Sequence, residues 1–548
     1  DMDARKIEQA VSREFEQLKN LTIPEEEISA LKRERAIAEI LQTEKILYYG
    51  FLKAQELAVG GLDAYQKTIP AYLNLPADKI SALFHAYPSF WTQPEQLFAK
   101  GDWAQNTSIK QYQSAATSRQ SSKTQIYRGK LDNGLTVIQL HNADNAVLAF
   151  HLLFKNRSAW EPEGKTGIAD FLHHALFKSS KNFPAEQLQT RIKEMGAEIK
   201  AYDWSFIPYD DYYNVPDYSY VRFVTLDQFF DDAVALLTDN IIHPGLESHF
   251  ADVKKEMLSL TTRLQMNARK TAYLKFMQGI LGEDHPLAQP VSGSPETIQS
   301  ITPTDLVDFH QKYFSAGNTI LTVVSSLDSA TVFSTLQKYF ARMPQTTQTV
   351  TLPDFPITRG NGRDSTKIGS RQAYIYLGYS FKAKLADAIP LKVMNSMLSN
   401  KIAFTMREQK GWAYRIGSVV GNRKDRFYFY AYLGTGRETT HPAIRGLFEE
   451  INKFKSDEIT PELLQRTRNS LVAALVRRRA SRENQAFTLG VNEFYGHSPQ
   501  YFSSIYDQIG KITRADILRV RDAYLQADKY YLFYTIPGKM PAQQKGMP

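Results

Sequence analysis

Cysteine is absent from the 548 residues of this chain. Its absence removes disulfides, thiolate metal sites and a cysteine nucleophile together, and is compatible with an oxidising compartment such as a bacterial periplasm. Long apolar runs are missing too: no stretch of about 18 apolar residues occurs, so no membrane-spanning helix is expected. Nothing at the start reads as a signal peptide. The chain opens "DMDARKIEQAVSREFEQLKNL", an amphipathic helical pattern without an initiating methionine, and is expected to continue from a longer polypeptide. Charge of one sign is not concentrated either. The 66 Lys and Arg residues against 58 Asp and Glu leave a net charge of +8, and the basic residues are dispersed, so a nucleic-acid partner is not expected. The expected location is periplasmic or otherwise extracytoplasmic.

What is present is the composition of an ordinary globular protein, 43% hydrophobic and 23% charged. The length is too great for one core, and about two to four domains are expected. Internal repetition is the clearest signal. "LTIPEEEISALKRERAIAEIL" from Leu21 is followed by "NLPADKISALFHAY"; "HPGLESHFADVKKEMLSLTTRL" from His243 by "SITPTDLVDFHQKYF"; and "EITPELLQRTRNSLVAALVRRR" from Glu458 by "KITRADILRVRDAY". Each copy reads as a long acid-capped helix, a second helix, and a third helix opened by a short polar or proline cap, where side-chain oxygens satisfy free N–H groups. In two copies an apolar strand follows, "TILTVVSS" and "KYYLFYTIPG".

Between the copies lie alternating, β-rich segments such as "GLTVIQL", "AVLAFHLLFK", "YSYVRFVTL", "QAYIYLGYSF" and "DRFYFYAYLG". The pattern predicts an α+β fold of duplicated sheet-plus-helix domains, with helices covering one face of each sheet. Residues 108–125 are polar and aperiodic and read as a linker, and 344–367 form a second break. The expected layout is a helical part of one domain over 1–107, a whole domain over 126–343 and another over 368–540.

"LDNGLTVIQLHN", "KNRSAWEPEGKTGIADFLHHALFKSS" and "PGLESHFADVKKEM" together resemble the amino-side domain of the pitrilysin/insulinase-type (M16) zinc peptidases. "SMLSNKIAFTMREQKGWAYRIGS" resembles the carboxy-side domain of the same family, and residues 1–107 resemble the end of another such domain. The resemblance implies an M16/LuxS-like metallohydrolase fold and the carboxy-terminal half of a four-domain peptidase. It also implies zinc in the full-length assembly, a peptide substrate, and either an N-terminal half of the same polypeptide or a catalytic partner subunit.

The family's zinc motif is an inverted His-x-x-Glu-His on a helix. In that frame Asp170 stands at the first His and His173 at the catalytic Glu, while His174 keeps the second His and Glu256 takes the place of the further ligand. Asp170 and His174 share a helix face, and together with Glu256 they are three donors of a kind that holds zinc. Asp is shorter than His, however, and His173 does not reproduce a carboxylate base. The motif is therefore expected to be degenerate: no metal bound to this chain, with Asp170, His174 and Glu256 as weak candidates for one. The alternative reading of the helix is polar residues that bond locally.

The resemblance gives Arg407 and Tyr414, seven residues apart in "REQKGWAYR", the role of donors reaching across a closed chamber to substrate at a distant zinc. A guanidinium and a phenol suit that task, since both donate to an oxyanion. The competing reading pairs Arg407 with a neighbouring acid and packs Tyr414 in a strand. His243 and His285 each precede proline and read as turn residues. The tyrosine-rich run 202–221 reads as packed strands, and the basic run 474–484 as a solvated face. The expected function is a non-catalytic half that closes a peptide-degradation chamber and completes a composite site; the alternative is a structural or binding module without peptidase activity.

Overall fold

The computed structural model describes residues 24–44, parts of 53–79, and 125–538 apart from 203–214, 347, 349–352, 414 and 527. Tyr414, residues 108–124 and most of the tyrosine-rich run lie outside the described residues.

Helix α1 (Glu25–Glu44) comes first. The first unit then runs β1 (Gln125–Lys130), β2 (Thr136–His141), β3 (Val147–Phe154), α2 (Ile168–Ala175), α3 (Ala185–Glu194), β4 (Glu198–Lys200), β5 (Ser219–Leu226), α4 (Phe230–Ile242), α5 (Phe250–Gln265), α6 (Ala268–Leu281), α7 (Pro295–Ser300), α8 (Pro303–Tyr313), β6 (Thr319–Ser325) and α9 (Ser329–Phe340). The second runs β7 (Gly362–Gly369), β8 (Ala373–Lys382), α10 (Ala388–Ala403), β9 (Ile416–Arg423), β10 (Arg426–Thr435), α11 (Thr440–Ser456), α12 (Pro461–Arg478), α13 (Arg482–Phe494), α14 (Tyr501–Lys511), α15 (Arg514–Tyr524) and β11 (Tyr531–Gly538).

The first sheet has the order β1-β2-β6-β3-β5-β4 and the second β7-β11-β8-β10-β9. Without β1 the two orders correspond strand for strand. The one parallel pair in each falls at the same place, β2 with β6 and β7 with β11. The duplication reaches individual side chains. Thr302 and Thr513 each open a helix with a capping box closed by an aspartate three residues on, Asp305 and Asp516. Just before each cap, an isoleucine carbonyl is held by a cation from the preceding long helix: Lys254 Nζ donates to Ile301 O at 2.9 Å, and Arg468 donates to Ile512 O.

Both faces of each sheet are covered, and the second cover is exchanged. The central strands therefore read as near-continuous apolar runs: β3, "VLAFHLLF", is buried at every position. Helices of its own unit pack on one face of each sheet and build the two largest cores. On the other face, α6 of the first unit lies on β8 and β11, while α13 of the second lies on β3 and β6. The sequence reading placed helices on one face only, because periodicity gives a helix its apolar stripe but not the sheet that receives it. Strand β10 shows the consequence: Phe427, Phe429, Ala431 and Leu433 enter the second unit's core, and Tyr428, Tyr430 and Tyr432 on the opposite face meet the cluster around Phe276 of α6. Each crossover helix comes down onto its sheet at a glycine. A Cβ on Gly279 would overlap the Tyr531 ring, and one on Gly490 would sit 3.1 Å from Thr322 Oγ1.

Arg482 corrects the reading of 474–484 as a solvated face. It opens α13 and is 1% exposed. Its Nη2 donates to the carbonyls of Asn142 and Asn145 at 2.6 Å each, and its Nη1 to Val147 O at 2.5 Å. Arg477 and Arg478 are exposed, as expected. Helix α1 packs against α3 and β5, whereas α12, its match in sequence, packs on α10 and α14. Among the described residues no helix is long and apolar enough to cross a membrane.

Candidate active-site helix and the Arg407 turn

Helix α2 is buried at every residue, and its entry is fixed by two contacts. Gly167 takes φ 92°, and a Cβ there would lie 2.6 Å from the backbone of Ser292 and Gly293, so only glycine fits both the conformation and the space. The free N–H groups of Gly167 and Ala169 donate to the Glu161 carboxyl, at 3.2 Å each. Burial raises the Glu161 carboxyl to about 7, even though those hydrogen bonds and Arg157 favour its charged form.

Within this helix Asp170 faces a guanidinium. Arg157 Nη2 donates to Asp170 Oδ1 at 2.9 Å, with the two side chains only 4% and 3% exposed. Burial by itself would raise the Asp170 carboxyl. Arg157, His174, a hydrogen bond from Ser292 and His173 together outweigh it, and the group lies below its usual range as a carboxylate. His173 turns inward: its Nδ1 lies 2.7 Å from Ala201 O, and its ring packs against Phe154 and Phe314. Burial, then the Arg157 charge, push its pKa down to about 3, so the ring is neutral and its Nδ1 is the donor. His174 Nδ1 is 3.1 Å from Glu256 Oε1, and its ring stacks on Tyr202 with centroids 3.8 Å apart. The His174 hydrogen bond is the main reason that Glu256 lies below the usual carboxylate range, with Lys178 3.7 Å from its other oxygen.

Of the three weak metal candidates, the structure brings two together. His174 meets Glu256, while Asp170 is committed to Arg157. The Nε2 atoms of His173 and His174 are buried without a hydrogen-bond partner, yet among the described residues no three His, Asp or Glu side chains are arranged to hold a metal ion. The donors present do not fit zinc. The positive charge that balances this helix comes from the chain itself, through Arg157.

The second unit carries a different arrangement. Both α2 and α10 follow the strand that pairs with the last strand of their unit, and both precede the edge strand. Helix α10 runs on into a π-helical turn, Phe404–Gln409, a deviation that is frequent at functional sites. Met406 is fully buried and anchors the turn, while Arg407 beside it points outward. Arg407 Nε donates to Glu408 Oε1 at 2.8 Å, with both side chains about half exposed. The neighbouring-acid pairing expected as the competing reading is therefore present. A pair this exposed contributes about 0–1 kcal/mol and leaves the guanidinium accessible. Gly411, at φ 63°, then turns the chain, and Trp412 N–H closes the turn on Met406 O at 2.8 Å.

His243 caps the end of α4, and His285 accepts from Leu287 N–H at a turn, as expected. Sequence reasoning missed Arg157, Glu161 and Ser292. One signal for Arg157 was available: an aspartate inside an apolar helix demands a counter-charge.

Comparison with known proteins gives the family. The insulinase (peptidase family M16) model matches residues 136–293, and the peptidase M16 inactive-domain model matches residues 300–471, together more than half of the chain. An uncharacterised zinc protease of Rickettsia felis is 25% identical over 355 residues, covering 63% of this chain and 82% of that protein. Cytochrome b-c1 complex subunit 1 of Bos taurus is 25% identical over 242 residues, 44% of this chain and 47% of that one. The crystal structure of a peptidase M16 inactive domain from Pseudomonas fluorescens shares the fold with a TM-score of 0.67 at 18% identity, over 76% of this chain and 99% of that one. The first match lies within the first unit and the second runs from the end of α7 into α12 of the second unit, and the chain belongs to the M16 (insulinase) peptidase family.

Proposed function

We propose that this chain is the non-catalytic half of an M16 zinc peptidase. It closes the peptide chamber and supplies Arg407, with Tyr414, to a composite site whose zinc is held by an N-terminal half of the same polypeptide or by a partner subunit. The observation that carries this reading is a contrast between the two units: Asp170 of α2 is neutralised inside the fold by Arg157, and Arg407 of the turn after α10 is left at the surface. At the composite site the guanidinium exchanges Glu408 for the peptide carbonyl and stabilises the oxyanion formed there. The relatives named zinc proteases support the hydrolytic context. The test is peptide turnover by the chain together with the zinc-bearing half. Arg407→Ala and Tyr414→Phe lower kcat about 10- to 1000-fold with zinc content unchanged; wild-type turnover in both variants removes the reading.

A second reading, a binding module without peptidase activity, is favoured by the likeness to bovine cytochrome b-c1 complex subunit 1. On that reading the chain co-purifies in a complex with no zinc-bearing M16 member, and neither substitution affects any peptide hydrolysis.

A further inference from the structure

The outer face of α12 carries a groove that neither sheet nor crossover helix fills. It encloses about 490 Å³ between α12 and α14 and is lined by Arg468, Val472, Val476, Arg477 and Gly510 among others. Positions 465, 468, 469, 472 and 476 recur at helical spacing, so the lining is one continuous stripe of α12 rather than a chance concavity. The floor is apolar, and Val476 is 52% exposed, a large aliphatic side chain left in water at the rim. Opposite it the wall is low, because no atom lies within 4 Å of where a Cβ on Gly510 would stand.

The charge of the groove has one sign. Arg468 and Arg477 line it, and no carboxylate does. Arg468 is fixed by its bond to Ile512 O, and its Nε is buried without a partner. Arg477 is exposed and makes no ion pair among the described residues. A solvated helix face normally carries both signs at i, i+4 spacing. This one does not.

We infer that the groove between α12 and α14 docks an acidic segment of a protein partner, one that inserts an aliphatic side chain against Val472 and Val476 while its carboxylates pair with Arg468 and Arg477. Nucleic acid fits less well, since the lining has no aromatic platform for bases. A lipid surface fits less well because the apolar residues lie in a concavity rather than along a protruding face. The inference does not depend on the composite-site reading, because the groove lies on a different helix from the Arg407 turn.

The test is fluorescence anisotropy with the full chain and a labelled amphipathic peptide of leucine and glutamate at helical spacing. The peptide binds the wild-type chain, and binding weakens at least about tenfold as salt rises from about 0.05 to 0.5 M. The single variants Arg477→Glu and Val476→Asp each bind at least about tenfold more weakly, and a leucine–lysine peptide does not bind. Both positions are exposed, and unchanged thermal unfolding of the variants confirms that the fold is intact. Equal binding by wild type and variants overturns the inference. So does no binding at all, or tighter binding of anionic vesicles or single-stranded RNA with the same sensitivity to the variants.

Discussion

Helix α2 of the first unit and the turn after α10 of the second lie between corresponding strands of a duplicated fold, β3 and β4 in one and β8 and β9 in the other, and their chemistry differs. In α2 every polar side chain is drawn inward: Asp170 onto Arg157, His173 onto the Ala201 carbonyl, and His174 onto Glu256. In the turn after α10 Met406 alone is buried, and among the described residues Arg407 is held by an exposed neighbour, Glu408. A buried ion pair has to be satisfied within the fold, because an uncompensated charge there costs several kcal/mol. An exposed arginine carries no such obligation and stays available to a partner. The lesson is that a carboxylate in a closed helix requires a cation beside it, and for Asp170 that cation is Arg157.

The largest expected effect breaks the first side of the comparison. Arg157→Ala leaves the Asp170 charge buried alone and lowers stability in urea unfolding by about 3–5 kcal/mol. The double variant Arg157→Met/Asp170→Leu recovers most of it, since an apolar pair of similar volume removes the charge as well. Next comes Arg407→Ala, which lowers peptide turnover of the assembled peptidase while shifting stability by no more than about 0.5 kcal/mol, as befits an exposed side chain. The same substitution with a large loss of stability would erase the contrast. Gly167→Ala combines a left-handed backbone with a backbone overlap and is expected to lower stability by about 2 kcal/mol or more, read from the shift in unfolding midpoint.

The smallest effects are in pH dependence. The folded pKa of His173, about 3, lies below its ordinary 6.5, so the unfolded chain takes up a proton first as pH falls. Its contribution is complete above 6.5 and is lost as pH falls from there towards 3. His151 and His310, at about 3 and about 4, act in the same direction. Glu161 acts oppositely: at about 7 it holds a proton in the folded state that the unfolded chain releases near 4.5, so its contribution is lost as pH rises through that interval. His173→Gln should therefore flatten the acid limb of the stability curve, and Glu161→Gln the limb between about pH 4.5 and 7. Parallel curves for wild type and either variant would mean that the group titrates normally.

Much of the fold was legible in the sequence, because the duplication is written locally. The caps at Thr302 and Thr513, the isoleucine before each and the apolar strand after each are short-range patterns with short-range causes. The exchange of α6 and α13 was not legible, since an apolar stripe does not name the sheet that receives it. The site divided in the same way. Asp170, His174 and Glu256 stood as one set of candidate donors in the sequence; His174 meets Glu256, while Asp170 is held by Arg157. The bond between Asp170 and Arg157 joins a helix to the loop after β3, and no periodic pattern marks it. Arg482 was hidden inside a basic run in which Arg477 and Arg478 are exposed, because charge patterning describes the surface a helix offers and not the carbonyls that wait at its end.

The central claim is that the first unit's helix is balanced by its own guanidinium rather than by a metal. Elemental analysis of the purified full chain, after dialysis against zinc-free buffer, tests it most directly. The account predicts far less than stoichiometric zinc, unchanged by Glu256→Gln. Stoichiometric zinc that survives dialysis and is lost on substituting Asp170, His174 or Glu256 would contradict it.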